Sequence, residues 1–206
     1  DVTTLVFRLD EGRRLAVSGV RVDGNAQVGD DAIVDAMETQ PEGFWWFRRG
    51  EFNEDEYAGD LADRIPSLYA QRGYIDFQIL DDSLVVDRER GKALLALEVD
   101  EGVRYRVGDF AVVGNRVFSS DDIARFYPFS EEGPTLTQRV SDLIRRRSTD
   151  YDVFDRSRWD EATQSVRTAY NNEGYIYAQV RPVVERAGLT ADSVPIVNLR
   201  WEIDEG

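Results

Sequence analysis

The sequence contains no cysteine and no histidine. Their absence excludes thiol nucleophiles, histidine-based triads, zinc sites of the common kinds and the usual proton shuttle at neutral pH. Lysine occurs once, as Lys92, so the basic charge is almost wholly arginine. Even so, 25 basic residues face 40 acidic ones, for a net charge of −15 over 206 residues. A field of that sign repels phosphate backbones, and no nucleic-acid partner is expected. No glycine-rich phosphate loop is present. No apolar run approaches the roughly eighteen residues a helix needs to cross a bilayer. The first residue is Asp1, not methionine, from which a segment of a longer protein is expected.

What is present is repetition, the feature to seek first. Asp10-Glu11-Gly12, Asp100-Glu101-Gly102 and Asp204-Glu205-Gly206 each close an apolar, alternating segment. The first two are followed by matching stretches that end in Gly24-Asn25 and Gly114-Asn115. Further on, Tyr69-Ala-Gln-Arg-Gly73-Tyr74 is answered by Tyr170-Asn-Asn-Glu-Gly174-Tyr175. Gly12 and Gly102 are 90 residues apart, as are Gly24 and Gly114, whereas Gly73 and Gly174 are 101 apart and Gly102 and Gly206 are 104 apart. The second copy therefore gains residues between its first strand and its long helix, at about 128–157, and a few more in its last hairpin. The domain organisation expected is the last strand of a preceding repeat at 1–12, a complete repeat at 13–102 and another at 103–206.

Each copy reads β-α-α-β-β. The opening strand alternates imperfectly (Val17, Val20, Val22; Val107, Phe110, Val112) and stops at the Gly-Asn turn signal. A short helix follows Asp30-Asp31 or Ser120-Asp121-Asp122, with Ile33 or Ile123 inward. The long helix sets Tyr57, Leu61, Ile65, Leu68 and Tyr69 on one stripe, and Trp159, Ala162, Val166, Ala169 and Tyr170 on its counterpart. Gly73 and Gly174 stand where a left-handed residue ends a helix. Pro66, inside the first long helix, predicts a kink or local break. The closing strands alternate most regularly: Ala93, Leu95, Leu97 and Val99, then Val197, Leu199, Trp201 and Ile203, with polar residues between the latter. The fold class is α+β, each repeat a three-stranded mixed sheet with two helices packed on one face.

These residues resemble POTRA domains, the polypeptide-transport-associated repeats of outer-membrane assembly factors of the BamA type. The resemblance rests on Gly-Asn closing the first strand, the Tyr-x-x-x-Gly-Tyr helix end, a strand hairpin, and Glu-Gly leading directly into the next repeat, and it covers essentially the whole chain. Phe44-Trp45-Trp46-Phe47 further resembles the third of five repeats, which makes 103–206 similar to the fourth. The resemblance implies a periplasmic scaffold, in a diderm bacterium, that binds unfolded outer-membrane proteins and accessory lipoproteins during β-barrel assembly and membrane insertion. It implies a parent anchored by a C-terminal membrane β-barrel absent here, and neither catalytic residues, nor metal, nor cofactor. Two alternatives stay open: the arm of a dedicated two-partner secretion or translocation and assembly transporter, and a structural spacer without clients.

Family members place the final strand centrally, so the second strand, at about Ile75–Val86, is expected at a sheet edge. Ile75, Phe77, Ile79, Leu80, Ser83, Leu84, Val85 and Val86 are then candidate contacts for an added client strand. The competing reading is a guarded edge, protected by Asp76, Asp81, Asp82 and Asp87. Pro182 in the equivalent strand predicts a poorer site there. Trp45 and Trp46 form a candidate partner anchor, or fill a loop against their own domain. Arg145-Arg146-Arg147 offers either a contact for lipid phosphates or a solvated helix face. Asp150, Asp152 and Asp155 lack the glycine and terminal glutamate of an EF-hand loop, and no metal is assigned to them. The near absence of a linker at Glu101-Gly102-Val103-Arg104 predicts a semi-rigid arm.

Overall fold

A computed structural model describes residues 15–43, 50–127, 153–191 and 193–206. The chain divides into two compact units, one comprising Asp1–Ile65 and Ile79–Asp100, the other Pro66–Gln78 and Glu101–Gly206. Elements follow in the order β1 (Ala16–Asp23), α1 (Asp30–Ala36), α2 (Glu54–Gly59), α3 (Ile65–Gln71), β2 (Gln78–Asp87) and β3 (Lys92–Asp100), then β4 (Arg106–Val113), α4 (Ser120–Ala124), α5 (Arg156–Asn172), β5 (Gln179–Leu189) and β6 (Pro195–Asp204). Strand orders are β1-β3-β2 and β4-β6-β5. In each sheet the first strand pairs parallel to the last, β1 with β3 and β4 with β6, and β5 pairs antiparallel to β6. This is the mixed three-stranded sheet anticipated from the sequence, with the closing strand in the middle.

The alternation of the closing strands produces the core directly. Ala93, Leu95, Leu97 and Val99 are all buried, as are Val197, Leu199, Trp201 and Ile203. The imperfect alternation of the opening strands has a structural cause: the register slips between Val17 and Gly19 in β1 and between Val107 and Phe110 in β4. A bulge of this kind inserts a residue and shifts the side-chain phase.

The second unit is centred on aromatic residues. Trp159 of α5 stacks on Trp201 of β6 with centroids 4.5 Å apart and planes 7° from parallel. Phe110 meets Trp201 edge-on at 5.4 Å, and Tyr127 meets Trp159 edge-on at 5.5 Å. The Trp201 indole donates to the Thr163 hydroxyl at 2.9 Å, which itself donates to the Trp159 carbonyl at 2.8 Å. Asp155 caps α5, its side chain accepting from the Arg158 amide at 3.0 Å. One carboxylate of the Asp150, Asp152 and Asp155 cluster is therefore a helix cap; Asp150 and Asp152 lie outside the described residues.

The long helix of the first repeat is continuous but irregular. Between α2 and α3, Asp60–Arg64 form a π-helical turn, and the Ile65 amide reaches back to the Asp60 carbonyl. Counting explains it. The capping residues Asn53 and Asp155 and the terminating glycines Gly73 and Gly174 lie 20 and 19 residues apart in their respective copies. One extra residue in the first copy is absorbed by the wider turn, and Tyr57, Ile65 and Tyr69 all remain buried. The loosened ladder also falls immediately before Pro66, where a regular helix would lose a hydrogen bond and meet the ring. The expected break is thus a change of helical pitch.

Candidate functional site

The edge strand predicted from the sequence is β2, and the structure places it on the outside of its sheet. Ile79, Leu80, Ser83, Leu84, Val85 and Val86 lie in it. Ile75 and Phe77 precede it: Ile75 packs against the aromatic core of the second unit, and Phe77 stacks on Tyr69 at 3.9 Å. Both side chains are thus occupied by the fold, and the strand starts later than expected because the Gly73 turn leads into a further turn (the Phe77 amide bonds the Tyr74 carbonyl) before extending. Trp45 and Trp46, and Arg145 to Arg147, lie outside the described residues.

The opposite margin of the sheet is closed where it starts. The Val17 amide donates to the Gly50 carbonyl at 2.6 Å, the Glu42 amide to the Val17 carbonyl at 2.8 Å, and Phe52 to Leu15 at 2.9 Å. Main chain ahead of the long helix thereby covers the first residues of β1. β2 instead presents exposed apolar side chains, with Leu80 at 56% and Val85 at 58% of full exposure. Three of the four carboxylates that would guard this edge have other duties. Asp76 accepts from the Tyr105 hydroxyl at 2.9 Å and pairs with Arg186, which hold its carboxyl below the usual range against the opposing effect of burial. Asp82 lies near the Tyr57 phenol, which burial and that carboxylate push up. Asp87 accepts from the Glu89 and Arg90 amides in the hairpin turn, at 3.1 and 3.0 Å.

In β5 the edge carries Pro182, in register with Trp201. Beside it, the Val180 carbonyl accepts from Arg167 at 3.1 Å.

The residues missed in the sequence are those that make the Asp-Glu-Gly motif functional. Glu205 accepts from the Arg116 and Val117 amides at 2.7 and 2.9 Å and from the Tyr170 hydroxyl at 3.0 Å. The carboxylate thus clamps the end of the long helix to the turn that follows β4. The same pairing recurs where Tyr69 donates to Glu101 at 3.2 Å. The signal available in the sequence was the joint recurrence of the helix-end tyrosine and the motif glutamate. These amides, Val117 foremost, hold the Glu205 carboxyl below the usual carboxylate range, while burial opposes them. A group with a depressed folded pKa stabilises above its unfolded value, about 4.3 for glutamate, and loses that contribution as pH falls through the folded one. Glu205→Gln is therefore expected to be less stable at neutral pH, with the deficit shrinking below about pH 4. Urea midpoints measured across pH check this.

A cleft of roughly 750 Å³ opens beside this clamp, lined by Gly114, Arg116, Val117, Tyr175 and Ile203–Gly206. Its Glu205 carboxylate is already engaged by two amides and a phenol, which leaves it poorly placed for general acid or base work. Nearby, Ile176 and Tyr177 are 67% and 80% exposed. Exposed apolar side chains thus occur in both units, at Leu80 and Val85 in the first and at Ile176 and Tyr177 in the second.

Comparison with known proteins agrees. Residues 105–206 match the POTRA family, described as a surface antigen variable number repeat. The chain is 29% identical over 109 residues to the outer membrane protein assembly factor BamA of Neisseria meningitidis, covering 52% of this chain and 14% of that protein. It is 31% identical over 121 residues to a putative outer membrane protein assembly factor of Treponema pallidum, covering 57% and 14%. The chain thus spans a small part of the relatives it matches. A crystal structure of POTRA domains 3–5 of Haemophilus influenzae BamA shares the fold, with a TM-score of 0.65 at 20% identity, over 98% of this chain and 70% of that one. POTRA domains of BamA are the periplasmic portion of an outer-membrane protein. Residues 105–206 therefore form a POTRA domain of the BamA type, and the first unit repeats its strand order.

Proposed function

We propose that this chain is a periplasmic scaffold that receives unfolded outer-membrane proteins during β-barrel assembly, and that a client segment adds as a strand to the outer edge of β2. The observation that carries this reading is the asymmetry of the first sheet: the start of β1 is covered by main chain, whereas β2 is the outer strand with exposed apolar side chains. An added strand gains main-chain hydrogen bonds whatever its sequence, which suits clients that share little beyond alternation. The relatives' names as assembly factors support the setting. Accessory subunits are partners of the same scaffold, and the domains act as two repeats bounded near residue 102 with no covalent chemistry of their own. Pro182 makes β5 the poorer acceptor, since a proline lacks a main-chain donor.

An amide NMR titration with a strand peptide from an outer-membrane protein tests this. Weak, fast-exchanging shifts are expected across Ile79–Val86, with little change in β5. N-methylating alternate peptide amides distinguishes strand addition from side-chain contact. One alternate set should weaken binding about tenfold or more, at about 1 kcal/mol per lost bond, while the other, facing away, is tolerated. Equal binding by both methylated peptides would remove strand addition, and no shifts at millimolar peptide would leave a spacer.

A further inference from the structure

The turn that ends the long helix occurs in both copies, and the described residues cover it in one of them. In the first copy it reads Gly73-Tyr74-Ile75-Asp76. The Tyr105 amide donates to the Gly73 carbonyl at 2.8 Å, and Arg104 Nε donates to the Arg72 carbonyl at 3.0 Å. A Cβ added at Gly73 would stand 2.8 Å from the Tyr105 carbonyl oxygen. Tyr74 is buried, Ile75 packs against the aromatic core, and Asp76 holds Tyr105 and Arg186. All of these residues belong to the same compact unit. In the second copy the turn reads Gly174-Tyr175-Ile176-Tyr177. A Cβ added at Gly174 would meet no described residue within 4 Å, and Tyr175, Ile176 and Tyr177 are 39%, 67% and 80% exposed. The local geometry is nevertheless shared: φ is +91° at Gly73 and +93° at Gly174. Gly102 lies against Asp76 as Gly206 lies against Tyr177, with added Cβ atoms 3.1 and 3.2 Å from those side chains. The chemistry differs. The repeat offsets put Tyr177 in the place of Asp76 and Val117 in that of Gln27, and Val117 lines the same cleft as Tyr175.

We infer that the turn at 174–177, with Val117 beside it, is a docking surface for a further repeat of the same kind, held by apolar contact where the Gly73 turn uses a carboxylate. The occupant follows from the correspondence of the two copies, since the Gly73 turn is seated under the opening residues of a repeat. Gly174 lacks a Cβ and so leaves room for main chain to approach as closely as Tyr105 approaches Gly73. Neighbouring exposed apolar and aromatic side chains are the surface that such a contact removes from water. Asp76 recruits a phenol and a guanidinium, whereas Tyr177 and Val117 offer no charge to pair. A second copy of this chain is a poor occupant, because each carries a net charge of −15 and its Tyr105 is already engaged at Gly73. The inference stands apart from strand addition at β2 and concerns the other unit.

The test compares nitration of individual tyrosines by tetranitromethane, located by mass spectrometry, in this 206-residue chain and in the full-length protein. Tyr69 and Tyr170, wholly buried, are controls that stay slow in both. Tyr177 should react readily in the chain and about tenfold or more slowly in the full-length protein, purified without clients or accessory subunits. That protection should persist in about 1 M sodium chloride, because screening acts on charges and not on apolar contact. Val117→Gln, which installs the residue of the first copy, should raise Tyr177 nitration about fivefold in the full-length protein, the scale of one aliphatic side chain left uncovered. The same substitution in the 206-residue chain should leave that rate unchanged, and thermal unfolding there checks that the variant folds. Equal Tyr177 rates in the chain and the full-length protein overturn the inference. Protection that appears only when an unfolded client or an accessory subunit is added also overturns it, by giving the surface to that occupant. Protection lost in salt, or indifferent to Val117→Gln, removes the apolar contact proposed here.

Discussion

Replacing Trp201 with alanine is expected to cost about 3–5 kcal/mol, the range for buried tryptophans and phenylalanines. Trp201 is fully buried, stacked on Trp159, met edge-on by Phe110 and bonded to Thr163. The substitution removes a ring from the centre of a small sheet and leaves the Thr163 hydroxyl without its indole donor. A domain of this size has on the order of 5–15 kcal/mol to lose, so Trp201→Ala should be partly unfolded at moderate urea. Trp201→Phe keeps a ring and loses chiefly the hydrogen bond and part of the volume, so it should fall between. Urea denaturation followed by far-UV circular dichroism measures all three. Near-UV dichroism should also lose a signal from the stacked indole pair. A midpoint for Trp201→Ala within error of wild type would mean that the stack is not what holds β6 against α5.

The second large effect is expected at Asp60. Its side chain is wholly buried within the π-helical turn, and its carboxylate accepts from the Glu38 and Thr39 amides at 2.8 and 2.9 Å and from Arg64 at 3.1 Å. This one group satisfies the chain leaving α1 and ties it to the long helix. Asp60→Ala strands those amides and deprives a partly exposed arginine of one partner, for a loss of about 2–4 kcal/mol. Asp60→Asn keeps one acceptor oxygen but turns a donor toward the other bond, and about half that loss is expected. Hydrogen exchange at Glu38 and Thr39 should accelerate in both variants. Unchanged protection there would show that the bonds are not formed in solution.

Asp60 also marks where the sequence stopped being legible. In a helix rich in Asp and Glu it is one more charge, and nothing in its neighbours distinguishes the buried carboxylate from the exposed Asp63. The burial of Asp60 goes with its place seven residues after the helix cap, where the sister copy has the buried Ala162, and the π turn that begins there was visible only as a one-residue discrepancy between the two copies. The strands were different. Alternation in β3 and β6 prescribes both the buried face and the central position that such a face requires, and the helix-ending glycines adopt φ of +91° and +93° at Gly73 and Gly174. The candidate edge was legible as an element but not residue by residue. Ile75 and Phe77 have the same character as Ile79 and Leu84, yet contacts distant in sequence claim the first pair and leave the second in the strand. The roles of Asp76 and Asp82 were hidden for the same reason, because partners such as Tyr105, Arg186 and Tyr57 come together only on folding.

The π turn bears on how these repeats change over generations. In an ordinary helix, inserting one residue swings everything after it by about 100°, carrying the apolar stripe off the sheet. Here the extra residue is confined to Asp60–Arg64, and both ends of the helix keep the facing they have in the sister copy. A lineage can therefore lengthen this helix by a single codon without first rebuilding the sheet beneath it.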